Sequence, residues 1–273
     1  MRRFILSVLI AISLLYILLM GFFWLFEPSF IFFPDYPSRK LQSVAVPHED
    51  IYLTTVDGVS LHGWIIRSEH PSTVWMIMFH GNAGNISGRE EYYVGMRALG
   101  MNVVAIDYRG YGKSGGKPNE AGLYKDAIAC YDFLIREFRV DANRIVVFGH
   151  SLGSAVASYL AAERSVGALI VEGALTSVAE LGQELYPFLP VRLLVCNTFD
   201  SMTHMGRISC PVLFLHARED EIIPIKHGRR LYERVEAEKS FVELSRHHND
   251  AFLDAAYFPA VQNFLRTQNL LEE

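Results

Sequence analysis

The sequence predicts a doubly wound, mostly parallel α/β sheet behind a single N-terminal transmembrane helix. Three observations carry this prediction: an uncharged apolar run at the start, short strands that are apolar throughout, and helical patterns alternating with them. Residues 4–26 hold no charged side chain, and a helix of that length crosses about 30 Å of hydrocarbon. The far end of the run carries Phe22, Phe23, Trp24 and Phe26, the composition of an interfacial aromatic belt. A cleaved signal peptide is the alternative. It fits poorly, because the run exceeds the usual ~7–15-residue apolar core and no A-x-A site follows it. Arg2 and Arg3 flank the near end, while Glu27 and Asp35 come first on the far side, with Arg39 and Lys40 further out. The positive-inside rule then places the N-terminus in the cytoplasm and the bulk of the chain on the non-cytoplasmic side.

The chain divides accordingly into an anchor over 1–27, a neck over 28–43 and a single domain over 44–273, an ordinary size for one α/β unit. The neck is rich in Pro and aromatic residues across 28–37. Extended segments at 51–55 and 60–67 flank Asp57-Gly58, a dipeptide that favours a tight hairpin turn. Apolar strands follow at 74–79, 102–106, 144–148, 168–171, 211–215 and 240–244. Helices are expected at 89–99, 120–137, 152–163, 227–235 and 251–265. Strands that are apolar throughout suit a parallel sheet covered on both faces, and repeated βα alternation with right-handed crossovers winds such a sheet doubly. Residues 175–208 break the rhythm with a stretch rich in Leu, Pro and Phe, which reads as an insertion and a small cap over the strand ends.

Composition removes other classes. The net charge is −5, from 25 Lys and Arg against 30 Asp and Glu; without a basic stripe this argues against a nucleic-acid surface. Hydrophobic residues make up 51% and charged residues 20%, which excludes a disordered chain. The cysteines Cys130, Cys196 and Cys210 are too few for a disulfide framework and too scattered for a zinc site. Pairing of Cys196 with Cys210 stays open, since an oxidising compartment would permit it.

The chemistry centres on Gly149-His150-Ser151-Leu152-Gly153. As a bare G-x-S-x-G pattern it is weak, but an apolar strand runs into it and a helix-forming stretch runs out. That is the strand–turn–helix elbow that exposes a nucleophilic serine at the top of a sheet. A serine hydroxyl needs a base to take its proton, and in this arrangement an acid and then a histidine follow in chain order. Asp220 leaves the strand at 211–215, and His248 follows the strand at 240–244. Asp220 is therefore assigned as the carboxylate that orients the imidazole, and His248 as the base. The rivals are His247 for the base and Glu172 or Glu219 for the acid; Asp250 is expected to cap the last helix. The oxyanion requires two backbone donors. Leu152 supplies one, and Asn82, in the loop His80-Gly81-Asn82-Ala83-Gly84-Asn85, supplies the other.

Residues 110–115 form a literal G-x-G-x-x-G after a strand, with Asp132 about twenty residues on. Lys117-Pro118-Asn119 intervene before any helix begins, so no helix N-terminus faces a pyrophosphate there. Asp107 stands where a P-loop has its first glycine. Nucleotide binding is not expected.

HGNAGN (80–85), DYRGYGKSGG (107–116), FGHSLGS (148–154), CPVLFLHAREDEIIP (210–224) and HHND (247–250) together resemble the α/β-hydrolase superfamily. More narrowly they resemble its membrane-anchored abhydrolase-domain serine hydrolases, over nearly the whole chain. The resemblance implies the α/β-hydrolase fold and a serine hydrolase acting on carboxylic esters or thioesters, including those of lipids, without a cofactor. By position, Ser151, Asp220 and His248 correspond to nucleophile, acid and base. Two departures stand out: Ala217 replaces the usual glycine after the strand-end His216, and Arg246-His247 replace small residues before the base. Two other readings remain at this stage, a non-catalytic membrane receptor or scaffold on the same fold, and an acyltransferase.

Overall fold

In a computed structural model the described residues are 1–34 and 44–272. In chain order the elements are α1 (Arg2–Leu25), α2 (Glu27–Ile31), β1 (Phe33–Pro34), β2 (Glu49–Thr54), β3 (Ser60–Ile66), β4 (Trp75–Phe79), β5 (Ala83–Gly84), α3 (Glu90–Ala98), β6 (Asn102–Ile106) and α4 (Glu120–Glu137). Then follow β7 (Ile145–His150), α5 (Leu152–Glu163), β8 (Ala168–Glu172), α6 (Val178–Leu185), α7 (Val191–Leu194), α8 (Ser201–Met205), β9 (Val212–Ala217), α9 (Lys226–Arg234), β10 (Lys239–Leu244) and α10 (Tyr257–Thr267).

Eight strands form one sheet in the order β10-β9-β8-β7-β4-β6-β3-β2. All neighbours pair in parallel except at β3, which runs antiparallel to both β2 and β6. The hairpin expected around Asp57-Gly58 joins β2 to β3, and Gly58 takes the positive φ of 81° that the turn requires. Side chains alternate across the central strands. Ile77, Phe79 and Val147 enter a core with α4 and α5, while Met76, Met78, Val146 and Phe148 enter a second core with α3 and α10. This two-sided burial is why these strands read as continuous apolar runs.

The chain steps from β4 to β6 on one side and then returns to place β7 on the other. Strand order therefore reverses at β4, and the crevice beyond the C-terminal ends of β4 and β7 is where an open α/β sheet binds its ligand. The glycine-rich segment 110–115 is a folded turn in this structure. Gly110 N–H donates to the Gly115 carbonyl, and Ser114 Oγ donates to the Asp107 carbonyl at 2.7 Å. Gly112 has φ 45°, and any β-carbon there would overlap the Asp107 carboxylate.

Residues 175–208 hold α6, α7 and α8. Phe199 and Met205 of this stretch are fully buried, whereas Leu185, Phe188 and Leu193 are exposed. The helix expected at 251–265 is divided into a short 3-10 turn at Ala251–Leu253 and α10. Asp254 breaks it: its carboxylate accepts Ser245 N–H and Ala256 N–H and holds its own backbone extended. Asp250 consequently does not cap α10; its Oδ1 accepts His247 N–H at 2.7 Å. Cys130, Cys196 and Cys210 are all free thiols. Asp35, Arg39 and Lys40, which entered the orientation argument, and residues 35–43 of the neck lie outside the described residues.

Candidate active site

The end of β7 turns sharply at Ser151 and enters α5. Ser151 has φ 54° and ψ −122°, a conformation that a non-glycine residue holds only when its surroundings enforce it. The flanking glycines supply the enforcement by letting backbone approach backbone. A β-carbon on Gly149 would lie 2.2 Å from the Gly153 carbonyl oxygen, and one on Gly153 would lie 2.2 Å from that of Phe79. The serine is thus pressed against the end of β4. A β-carbon on Gly81 would sit 3.3 Å from Ser151 Cβ, so the His80–Gly81 backbone passes directly over the serine.

His248 comes from the loop after β10 and Asp220 from the loop after β9. His248 Nε2 lies 2.9 Å from Ser151 Oγ, and His248 Nδ1–H donates to Asp220 Oδ2 at 2.7 Å. The other Asp220 oxygen accepts Ile222 N–H at 3.0 Å and Ile223 N–H at 2.7 Å. Burial works against the Asp220 charge. The hydrogen bond and charge of His248, with the Ile223 N–H, outweigh it and hold the carboxyl below the usual carboxylate range. His216 packs beside this pair and donates through Nε2 to the Ile223 carbonyl at 2.8 Å. Gly228 faces it so closely that a β-carbon would lie 2.4 Å from His216 Nδ1.

Each rival lies elsewhere. His247 is solvent-exposed, and its Nδ1–H donates to the Glu219 carbonyl at 3.2 Å. That bond raises its pKa above the ordinary histidine value. Glu219 itself is exposed. Glu172 is buried at the end of β8, where Tyr92 and Tyr257 donate their hydroxyls to its two oxygens at 2.9 and 2.6 Å. Burial pushes its carboxyl up to about 7 in spite of those donors.

Of the expected oxyanion donors, Leu152 opens α5 directly after Ser151, so its N–H lies at the positive end of that helix. Asn82 sits one residue past Gly81. Its carbonyl accepts Tyr111 Oη–H at 2.8 Å and Phe33 N–H at 2.9 Å, and its side chain donates to the Ile31 carbonyl at 3.2 Å.

Sequence reasoning missed the groups packed behind these three side chains. His150 Nε2–H donates to the His248 carbonyl at 3.2 Å, and burial holds the His150 imidazole well below its ordinary pKa. His150 was visible as the variable position of the motif. Tyr92 and Tyr257 carry no local signal, since their partner Glu172 lies 80 and 85 residues away.

The chain matches the family model described as the alpha/beta hydrolase fold over residues 74–201. It is 35% identical over 249 residues to an uncharacterised protein of Mycobacterium tuberculosis, covering 89% of each chain. It is 34% identical over 258 residues to an alpha/beta hydrolase domain-containing protein of Arabidopsis thaliana, covering 84% of this chain and 83% of that one. The chain belongs to the alpha/beta hydrolase family, in its abhydrolase-domain branch. Another relative is an uncharacterised membrane protein of Saccharomyces cerevisiae, 33% identical over 235 residues, with 82% of this chain and 81% of that one covered. A solved esterase of Pyrococcus furiosus superposes with a TM-score of 0.72 at 21% identity, covering 88% of this chain and 98% of that one, a likeness of fold. As a member of the alpha/beta hydrolase family the chain is supported as a hydrolase. Ser151, Asp220 and His248 follow the C-terminal ends of β7, β9 and β10, so the three side chains meet at one end of the parallel sheet.

Proposed function

We propose that the protein is a membrane-anchored serine hydrolase that cleaves carboxylic ester or thioester bonds through an acyl-enzyme. The observation that carries this reading is the continuous chain from Ser151 Oγ through the His248 ring to Asp220, closed at 2.9 and 2.7 Å. Ser151 Oγ attacks the carbonyl carbon while His248 Nε2 accepts its proton. The tetrahedral oxyanion is held by the Leu152 and Asn82 N–H groups. The bond to the leaving oxygen or sulfur then breaks, and His248 returns the proton to that atom. Water attacks the acyl-enzyme with His248 again as base, releasing a carboxylic acid and regenerating Ser151. Asp220 keeps the imidazole in the tautomer whose Nε2 is free to accept. No cofactor enters these steps.

The anchor is residues 1–27, joined through the neck 28–43 to a hydrolase domain at 44–273 with a cap-like insertion at 175–208. Helix α1 is long and apolar enough to span a bilayer, and none of its residues is buried by protein. Tyr16, within α1, donates its hydroxyl to the Phe188 carbonyl of the insertion at 3.0 Å. A carbonyl beside a membrane helix needs such an internal donor, since hydrocarbon offers none. Arg2 and Arg3 favour a cytoplasmic N-terminus with the hydrolase domain on the other side. The exposed Phe188 and Leu193 beside α1 support a lipid or acyl-chain substrate.

Fluorophosphonate labelling of the detergent-solubilised protein tests the reading. Wild type should label, Ser151→Ala should not, and His248→Ala should label at a small fraction of the wild-type rate. A folded wild type that takes up no label would overturn it in favour of a non-catalytic receptor. Ester turnover in the presence of an added alcohol separates hydrolysis from acyl transfer.

A further inference from the structure

The first residues to leave the anchor run straight to the proposed oxyanion loop. Glu27, the first charge after the apolar run, is buried to 6% exposure. Its Oε1 accepts the backbone N–H groups of Cys196 and Asn197 at 3.1 and 2.8 Å, and its Oε2 accepts Asn197 Nδ2–H at 2.6 Å. A buried carboxylate is tolerable only with donors on this scale, so Glu27 pins the start of the strap onto the insertion. Asn197 is itself fixed, because its Oδ1 accepts Glu120 N–H at the start of α4. Ile31 and Phe32 then enter the core, with Phe32 at 6.0 Å from the Phe199 ring. At its end β1 pairs in parallel with β5, placing Phe33 beside Ala83 and Pro34 beside Gly84.

Both ends of Asn82 are held by this strap. Phe33 N–H donates to the Asn82 carbonyl, and the Ile31 carbonyl accepts from the Asn82 side chain. The neighbouring Gly81 backbone lies against Ser151. We propose that the membrane-proximal strap at residues 27–34 positions the oxyanion loop, so that the anchor sets the geometry of the active site as well as its location. Glu27 and the Phe33 backbone N–H are positioning groups acting through Asn82. This rests on the serine-hydrolase reading above, with Asn82 as an oxyanion donor.

The decisive variant removes one N–H. Phe33→Pro deletes the donor to Asn82, and the preceding Phe32, at φ −108° and ψ 122°, already has a backbone compatible with a following proline. Phe33→Ala keeps the N–H and loses only an exposed side chain. Both are made in the full-length solubilised protein and compared on a short water-soluble nitrophenyl ester. Phe33→Pro is expected to lower kcat roughly 10-fold to 100-fold with KM unchanged, the scale of a misplaced catalytic group, while Phe33→Ala stays within about 2-fold of wild type in both. A thermal midpoint equal to wild type in Phe33→Pro separates positioning from stability. Wild-type kcat in Phe33→Pro would overturn the proposal.

Should Phe33→Pro also lower the thermal midpoint, Glu27→Gln carries the test. Its amide nitrogen cannot accept from Asn197 Nδ2, so a fall in kcat at constant KM is expected, and unchanged kcat overturns the proposal. Wild-type protein with no Ser151-dependent turnover would instead remove the underlying catalytic reading, and the strap proposal with it.

Discussion

Asp220 grips His248 with one carboxylate oxygen, at 2.7 Å from Nδ1, while its other oxygen is held by the N–H groups of Ile222 and Ile223. The carboxylate cannot rotate without breaking those bonds, so the imidazole has one orientation and one tautomer. Asp220→Asn preserves the shape and removes the charge. It is expected to lower kcat by about 10²–10⁴-fold, because the amide nitrogen opposes the Nδ1–H tautomer. Esterase kinetics would check it; a loss under about 5-fold would remove Asp220 from the role.

Two adjacent histidines should differ sharply. His248→Ala leaves Ser151 without a base, and turnover should fall by about 10⁴-fold or more. His247→Ala removes an exposed ring whose partners are the Glu219 carbonyl and the Glu221 carboxylate. It should leave kcat within about 2-fold of wild type, the usual outcome for a surface substitution. Parallel kinetics on the two variants decide which histidine is the base.

Gly153→Ala is a test of the elbow itself. The added methyl would lie 2.2 Å from the Phe79 carbonyl oxygen and 2.6 Å from that of His80. Backbone must move, at about 1–3 kcal/mol or more for overpacking, which is roughly 3–10 °C in melting temperature for a domain of this size. Because the yielding backbone leads into Gly81 and Asn82, activity should fall further than stability. Melting curves and kcat measured on one preparation give both.

Glu172 supplies a pH signature. Its carboxyl, raised from 4.5 to about 7 by burial, holds its proton in the folded state where the unfolded chain has released it. The stabilisation is therefore complete below about pH 4.5 and is lost as pH rises through 7. Between those limits it amounts to an order of 3 kcal/mol. Glu172→Gln cannot ionise, so its melting temperature should vary less than wild type's between pH 5 and pH 8. Parallel curves for the two proteins would refute the assignment of the buried proton to Glu172.

Much of this molecule is written locally. An apolar strand covered on both faces must be apolar along its whole length, which made β4, β6, β7, β8 and β9 legible to within a residue or two. Helices α4 and α5 lie at the expected 120–137 and 152–163, because Asn119 caps the first and the elbow glycines deliver the second. Chain order around the G-x-S-x-G motif brought Ser151, Asp220 and His248 forward together. What failed locally was the last helix, where Asp254 turns its carboxylate toward Ser245, nine residues back, and ends the turn that periodicity would continue.

The sequence by itself determined the layered α/β class, the N-terminal apolar helix and the residue types able to carry nucleophile, base and acid, since each depends on periodicity or on neighbours within a few positions. Only the tertiary structure decided that His248 rather than His247 reaches Ser151, that Glu172 is held by two tyrosines, that Glu27 meets Asn197, and that the Phe33 N–H meets Asn82. Those contacts join residues 49 to 170 positions apart. They are set by strand order and loop reach, and a hydrogen bond between such distant groups leaves no pattern in either stretch of chain.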